Sequence, residues 1–281
     1  MEQALEQIRD QQRETWNKSS PGWDKWDEFT MDFLRPMGAA IIAKLRLKDS
    51  DTVLDVATGT GEPGLTIAGI VKSGKVIGTD LSDGMLSIAR AHAANRGIHN
   101  FETQAADVSE LPFADNTFDA ISCRFGFMFF PDMLLAAKEM ARVLKPGGRI
   151  ATSIWTGPED NQIVSAITVA INEVMQIPRP PAGAPGLFRC AAPGMIEDLF
   201  RESGLKNIAT QEMPGIRDFH SKEMYWNYMT EVVGPVVAAL SKASAEQKEQ
   251  IRSKLFQSID ELNPSGGAKL HYAARIISAE K

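Results

Sequence analysis

One hexapeptide constrains this chain more than any other feature. Gly59-Thr60-Gly61-Glu62-Pro63-Gly64 has the form G-x-G-x-x-G, and its neighbours are those such a turn needs. The β-branched run Thr52-Val53-Leu54-Asp55-Val56 precedes it, and Leu65 to Val71 continues as a helix. Pro63 stands where a first helical turn begins, a position that tolerates a missing N–H. Roughly 20 residues further on, Asp80 follows a second strand, Lys75 to Thr79, where an acid can accept hydrogen bonds from ribose hydroxyls. The hexapeptide therefore reads as a nucleoside site in a βαβ unit. Alone it does not separate a dinucleotide from another adenosine compound.

The alternation continues downstream. Ser82 is an N-cap for a helix from Met85 to Asn95, and Gly97 stops it. Asn100 to Ala105 and Phe118 to Cys123 read as strands. Asp132 to Leu144 reads as a helix ended by Lys145-Pro146-Gly147-Gly148, and Arg149 to Trp155 as a fifth strand. Alternating strands and helices with tight loops predict an α/β fold, a mostly parallel sheet covered on both faces. Ligands of such sheets sit beyond the carboxyl ends of the strands.

The flanks are less regular. Residues 1–48 read as helices, with Leu5, Ile8 and Trp16 in the first, a turn at Pro21-Gly22 followed by Trp23 and Trp26, and a second helix from Met37 to Leu47. Beyond Thr156 the pattern predicts helices over 161–175, 192–203 and 221–240, the last kinked at Pro235. Residues 178–185 read as a Pro-rich loop and 208–213 as a strand. Ser244-Ala245-Glu246-Gln247 has the form of a capping box, with Ile251, Leu255, Ile259 and Leu262 following at helical spacing. Lys269 to Ala279 closes as a strand. The division is then a helical cap segment at 1–48, a nucleoside-binding body at 49–220 and 264–281, and a helical insert at 221–263 that acts as a lid.

Charge and composition narrow the function. The formal charge is −6 and no Lys/Arg-rich run occurs, a poor match to nucleic acid or an anionic membrane. Apolar residues make up 43% of 281, ordinary for a packed domain. The two cysteines, Cys123 and Cys190, make neither a disulfide framework nor a four-ligand zinc site and fit a reducing compartment. No apolar leader and no stretch long enough to span a bilayer is visible. The expectation is a cytoplasmic chain with no metal and no membrane span.

Asp55 and Glu62 bear on which nucleoside compound binds. A pyrophosphate at this turn would use the helix N-terminal amides, and carboxylates beside it would repel it. S-adenosylmethionine has no phosphate and carries an amino group and a sulfonium, which carboxylates favour. The longer segment Val53-Leu54-Asp55-Val56-Ala57-Thr58-Gly59-Thr60-Gly61 resembles the first motif of class I S-adenosylmethionine-dependent methyltransferases. Val76 to Ser82 resembles the second-strand segment, Ala106-Asp107-Val108 with Leu111-Pro112-Phe113 the adenine-binding segment, and Leu144 to Gly148 the turn before the fifth strand. The resemblance covers Asp51 to Trp155. It implies a Rossmann-like, doubly wound seven-stranded sheet with S-adenosylmethionine as cofactor and a small, partly apolar molecule as methyl acceptor.

The same resemblance assigns cofactor contacts to Asp55, Ala57, Thr58, Gly59, Gly61, Asp80, Leu81, Met85, Ala106, Asp107, Val108, Arg124 and Phe125, with Trp23 folding over from the N-terminal segment. Asp80 is placed on the ribose, Asp107 on the adenine amino group, and Arg124 near the methionine end, through its backbone or its side chain. Phe118-Asp119-Ala120 and the Pro-Gly-Gly turn are most similar to the ubiquinone and menaquinone C-methyltransferase group. That group has Phe-Gly-Ile-Arg-Asn after the fourth strand. Here the segment is Phe125-Gly126-Phe127-Met128-Phe129, which removes the polar pair and would line an apolar pocket. His220, ahead of the insert, is the candidate base, although a surface histidine would read the same. His92 and His99 read as solvated, His271 as structural and Asp132 as a helix cap. Two other readings remain: a nicotinamide-dependent oxidoreductase, and a non-catalytic protein that binds S-adenosylmethionine.

Overall fold

Val53, Leu54 and Val56 are buried, as a strand covered on both faces requires, and their strand lies inside the sheet, with a parallel neighbour on each side. The computed structural model describes residues 2–178, 181 and 183–281. Residues 179, 180 and 182 of the expected loop lie outside the described residues. The chain begins with α1 (Glu2–Lys25) and α2 (Asp27–Leu45). The core then runs β1 (Thr52–Val56), α3 (Gly64–Ile70), β2 (Lys75–Asp80), α4 (Asp83–Asn95), β3 (Phe101–Ala105), β4 (Phe118–Arg124), α5 (Met133–Val143) and β5 (Leu144–Trp155). After it come α6 (Gln162–Met175), α7 (Met195–Glu202), β6 (Lys206–Asp218), α8 (Lys222–Val232), α9 (Gly234–Leu240), α10 (Ala245–Leu262) and β7 (Lys269–Glu280).

The seven strands form one sheet in the order β3-β2-β1-β4-β5-β7-β6. The first five are parallel, and β7 runs antiparallel to both β5 and β6. Chain order reverses between β1 and β4, so the carboxyl ends of these two strands diverge and leave a crevice between them. The Pro-Gly-Gly turn is held inside β5: pairing with β4 jumps from Phe118↔Leu144 to Ala120↔Arg149.

Three departures from the sequence reading have physical causes. Pro21 was expected in a turn, yet α1 passes straight through it. Proline leaves the carbonyl four residues earlier without its partner. That carbonyl is Asn17 O, and the Ser20 hydroxyl donates to it at 2.9 Å. Strand β6 extends well past 213, through Pro214 and Gly215, with register kept to Asp218↔Lys269. It is an edge strand, where proline is tolerated. The helix predicted over 221–240 is divided at Val233 into α8 and α9, with Pro235 in the first turn of the second.

Helices α8 and α9 pack on α1, and α10 packs on α6. Gly22 in α1 allows that approach: a Cβ there would lie 2.0 Å from the Glu231 carbonyl oxygen. Trp23 Nε1 donates to Val232 O at 2.8 Å and Trp26 Nε1 to Glu231 Oε2 at 2.7 Å. Residues some 200 positions apart thus form a single roof over the β1/β4 crevice.

Candidate active site

The crevice beneath that roof is a cavity whose two ends differ. At one end stand Gly59, Asp80, Leu81, Met85, Asp107 and Val108. Asp80 ends β2, and its two oxygens accept from Gly59 N at 3.0 Å and Ser82 N at 2.9 Å. Burial raises its pKa above the usual carboxylate value, and these amide hydrogen bonds oppose the rise. Asp107 accepts from Ser109 N at 2.8 Å, and its other oxygen pairs with Arg9 of α1 at 3.2 Å. Each carboxylate oxygen has a second lone pair, so both acids keep acceptor capacity for a ligand.

At the other end the wall is aromatic. Trp155 lies between Phe125, stacked at 4.2 Å, and Phe33, stacked at 6.0 Å. Phe129 meets Trp16 edge-on at 5.0 Å. Ala57 and Phe125, at the ends of β1 and β4, both have positive φ, 53° and 59°. Non-glycine residues rarely adopt this conformation, and it clusters at functional sites. The Phe125 N–H is fixed by Ser153, whose carbonyl and hydroxyl oxygens lie at 3.1 and 3.2 Å.

Ala57, Ala106, Arg124 and Trp23 also line the cavity, joining Gly59, Asp80, Leu81, Met85, Asp107, Val108 and Phe125 there. Asp55, Thr58 and Gly61 stand behind the turn. Asp55 is fully buried, and its carboxylate accepts from the Thr58 and Ser122 hydroxyls, both at 2.6 Å, and from Gly64 N at 3.1 Å. It ties β1, the glycine turn, α3 and β4 together. Glu62 bonds Thr66 and Arg96. The two acids expected to face a cationic cofactor directly are thus held by the chain's own groups, Asp55 inside the fold and Glu62 nearer its surface, and neither lines the cavity.

His220 lies outside this wall. It is exposed, with Nδ1 at 3.6 Å from Asp218. His92, expected in solvent, is tucked against α1: Nδ1 lies 3.1 Å from Thr60 O, and Nε2 is 3.5 Å from Asp24. Asp132 caps α5. Sequence reading missed Gln12, Trp16, Phe33, Trp155 and Tyr228 as cavity residues. Gln12, Trp16 and Trp23 share one face of α1 at helical spacing, a signal hidden while Pro21 was read as a turn.

Burial pushes the Asp55 carboxyl up to about 6, although its hydrogen bonds and Arg124 oppose the shift. The folded state therefore holds this proton more tightly than the unfolded chain. The contribution to stability is complete below the ordinary carboxylate value and is lost as pH rises through about 6. Asp55→Asn should remove that dependence. In urea melts at a series of pH values, the native chain should lose on the order of 2–3 kcal/mol relative to the variant across this window. A difference that stays flat with pH would refute the assignment.

Comparison with known proteins fits this geometry. Residues 53–148 match the family described as a methyltransferase domain. They form a class I S-adenosylmethionine-dependent methyltransferase domain. An uncharacterized protein of Mycobacterium tuberculosis is 39% identical over 126 residues, 44% of each chain. The demethylmenaquinone methyltransferase of Listeria monocytogenes is 36% identical over 138 residues, 48% of this chain and 58% of that one. The chain thus spans about half the length of the curated relatives it matches. The methyltransferase domain and its flanks share their fold with the YcgJ protein of Bacillus subtilis, with a TM-score of 0.59, 21% identity and coverage of 87% of this chain and 97% of that one. The domain carries β1 to the turn in β5, and so holds Asp80 and Asp107. The roof and much of the aromatic wall lie outside it.

Proposed function

We propose that the chain binds S-adenosylmethionine in the crevice and transfers its methyl group to a small, partly apolar molecule. The observation that carries this reading is one cavity joining the Asp80 and Asp107 end to the slot around Trp155. Asp80 accepts from the ribose hydroxyls, and Asp107 takes the adenine amino group beside Arg9. Leu81, Met85 and Val108 flank the adenine ring. Carboxylates and aromatic faces suit a positively charged ligand. Bound there, the sulfonium supplies an activated methyl group for in-line displacement.

The chain's own part is alignment and exclusion of water. Orientation can supply roughly 7–11 kcal/mol of barrier reduction. Helices α1, α8 and α9 act as the cap, and the 221–263 insert serves as its movable part. Among the described residues, no helix is long and apolar enough to cross a membrane. The charge of −6 supports a small-molecule acceptor over nucleic acid. In place of the polar pair of the quinone enzymes stand Met128 and Phe129, both lining the cavity, which supports a less polar acceptor.

Calorimetry with S-adenosylhomocysteine and with NAD, followed by label transfer from S-adenosylmethionine to a small-molecule panel, tests the reading. The expected result is binding of the first compound, none of the second, and label in an apolar acceptor. Binding of NAD alone would replace this reading with the oxidoreductase one. Cofactor binding without turnover over a broad panel would favour a non-catalytic role.

A further inference from the structure

Helix α1 lies outside the matched methyltransferase domain, yet it reaches both acids of the nucleoside end. Two neighbouring stripes of the helix do this, since residues three or four apart share a face. The first stripe starts at Arg9 and continues with Gln12 and Trp16, which line the cavity. Arg9 Nη1 donates to Asp107 Oδ2 at 3.2 Å, whereas Glu6 and Asp10 stand at 4.0 Å from the guanidinium. Arg9 therefore serves Asp107 more than its helical neighbours. The Ser109 amide holds the other Asp107 oxygen at 2.8 Å.

The second stripe, Asn17, Ser20 and Asp24, lies along α4. Asn17 Oδ1 accepts from Gly84 N at 3.1 Å and from the Ser82 hydroxyl at 2.7 Å. That hydroxyl also caps α4 by accepting from Met85 N at 3.1 Å, and Ser82 N donates to Asp80. A run of hydrogen bonds thus leads from α1 to the acid that ends β2. The seam is close: a Cβ on Gly84 would lie 2.6 Å from Ser20 Oγ. Asp24 extends it to His92 Nε2 at 3.5 Å. Among the described side chains of α1, only Ser19 and Ser20 are buried. The helix adds little to the core, and its polar contacts converge on the loops of the two acids.

We propose that Arg9 and Asn17 are positioning residues for the donor with separate tasks: Arg9 fixes the carboxylate that reads the purine 6-amino group, and Asn17 fixes the loop that holds the ribose. This rests on the methyl-transfer reading above. With one oxygen held by an amide and the other by a guanidinium, the Asp107 carboxylate is locked in one orientation and offers the base only lone pairs. An adenine 6-amino group donates to them. A 6-oxo purine puts an oxygen there instead, and two acceptors repel. To bind it, the carboxylate has to turn toward the proton on N1, and Arg9 prevents that turn. Arg9 thus sets which base is accepted. Asn17 acts behind Asp80, where both purine nucleosides carry the same sugar, so it sets affinity without changing base choice.

The test measures binding of S-adenosylhomocysteine and S-inosylhomocysteine to the whole chain by calorimetry. The native chain should prefer the adenine compound by at least about tenfold, the loss expected for one charge-assisted hydrogen bond. Arg9→Met should cut that preference by about threefold or more. Asn17→Ala should weaken both compounds by about 3- to 30-fold and leave their ratio as it was. Asn17→Asp keeps an acceptor at the N-terminus of α4 and should restore most of the affinity. Gly84→Val leaves every polar group of α1 in place but fills the seam, and should weaken both compounds as Asn17→Ala does. Melting midpoints without ligand should stay close to native in all four variants, which checks that they are folded. A smaller preference in the native chain, an unchanged ratio in Arg9→Met, or an unchanged affinity in Asn17→Ala would overturn the inference. So would one shared profile from Arg9→Met and Asn17→Ala, because α1 would then act only as a packed cover. If the native chain bound neither compound, the methyl-transfer reading would fall first; every other adverse result overturns this inference alone.

Discussion

Asp55→Ala is expected to destabilise the chain by about 3 kcal/mol or more at neutral pH. The carboxylate satisfies two hydroxyls and one backbone N–H in a fully buried position. Stranding each such donor costs about 1–3 kcal/mol, and relief from ionising a buried acid offsets only part of the sum. For a chain of this size the melting midpoint should fall by about 6–12 °C. The loss should be the same with and without ligand, because Asp55 does not line the cavity. Gly64 reinforces the point: a Cβ there would lie 2.8 Å from Asp55 Oδ2, so the acid and the start of α3 are fitted to each other. A variant less than about 1 kcal/mol weaker in a urea melt would show that the carboxylate is not the clamp described here.

Asp80→Ala should behave in the opposite way. Its expected effect is a 10- to 100-fold weaker affinity for S-adenosylhomocysteine, roughly the loss of one or two charge-assisted hydrogen bonds. The melting midpoint should move little, because water entering from the cavity can take over the Gly59 and Ser82 amides. Asp80→Asn keeps an acceptor oxygen and should fall between. An affinity unchanged within error in the alanine variant, measured by calorimetry, would remove Asp80 from the proposed ribose site.

The contrast between these two acids shows where sequence reading works and where it stops. Both stood out in the sequence as candidate site residues from their places at the ends of β1 and β2, since strand, glycine turn and helix are local patterns. Local chemistry also located the N-cap at Ser82, the capping box of Ser244 with Gln247, and the buried stripe of Ile251, Leu255 and Ile259. Which acid faces the ligand was not legible. Asp55 turns inward because Ser122 approaches from β4, a contact across 67 positions. The same holds for the aromatic slot. Phe33, Trp155 and Tyr228 come from α2, β5 and α8, and no periodicity links them. Pro21 misled for a simpler reason: the hydroxyl that repairs the helix belongs to its immediate neighbour, and composition alone cannot show that a side chain has turned back to the main chain.

The roof built from α1, α8 and α9 has a consequence for how such chains diversify. On the methyl-transfer reading proposed above, most of the nucleoside end of the crevice is encoded within 53–148, while the aromatic end draws also on segments on either side of it. On that reading, substitutions at Trp16, Phe33, Trp155 or Tyr228 are expected to reshape what is methylated more than how the donor is held. Exchanging those side chains between homologues should therefore shift acceptor preference more than donor affinity.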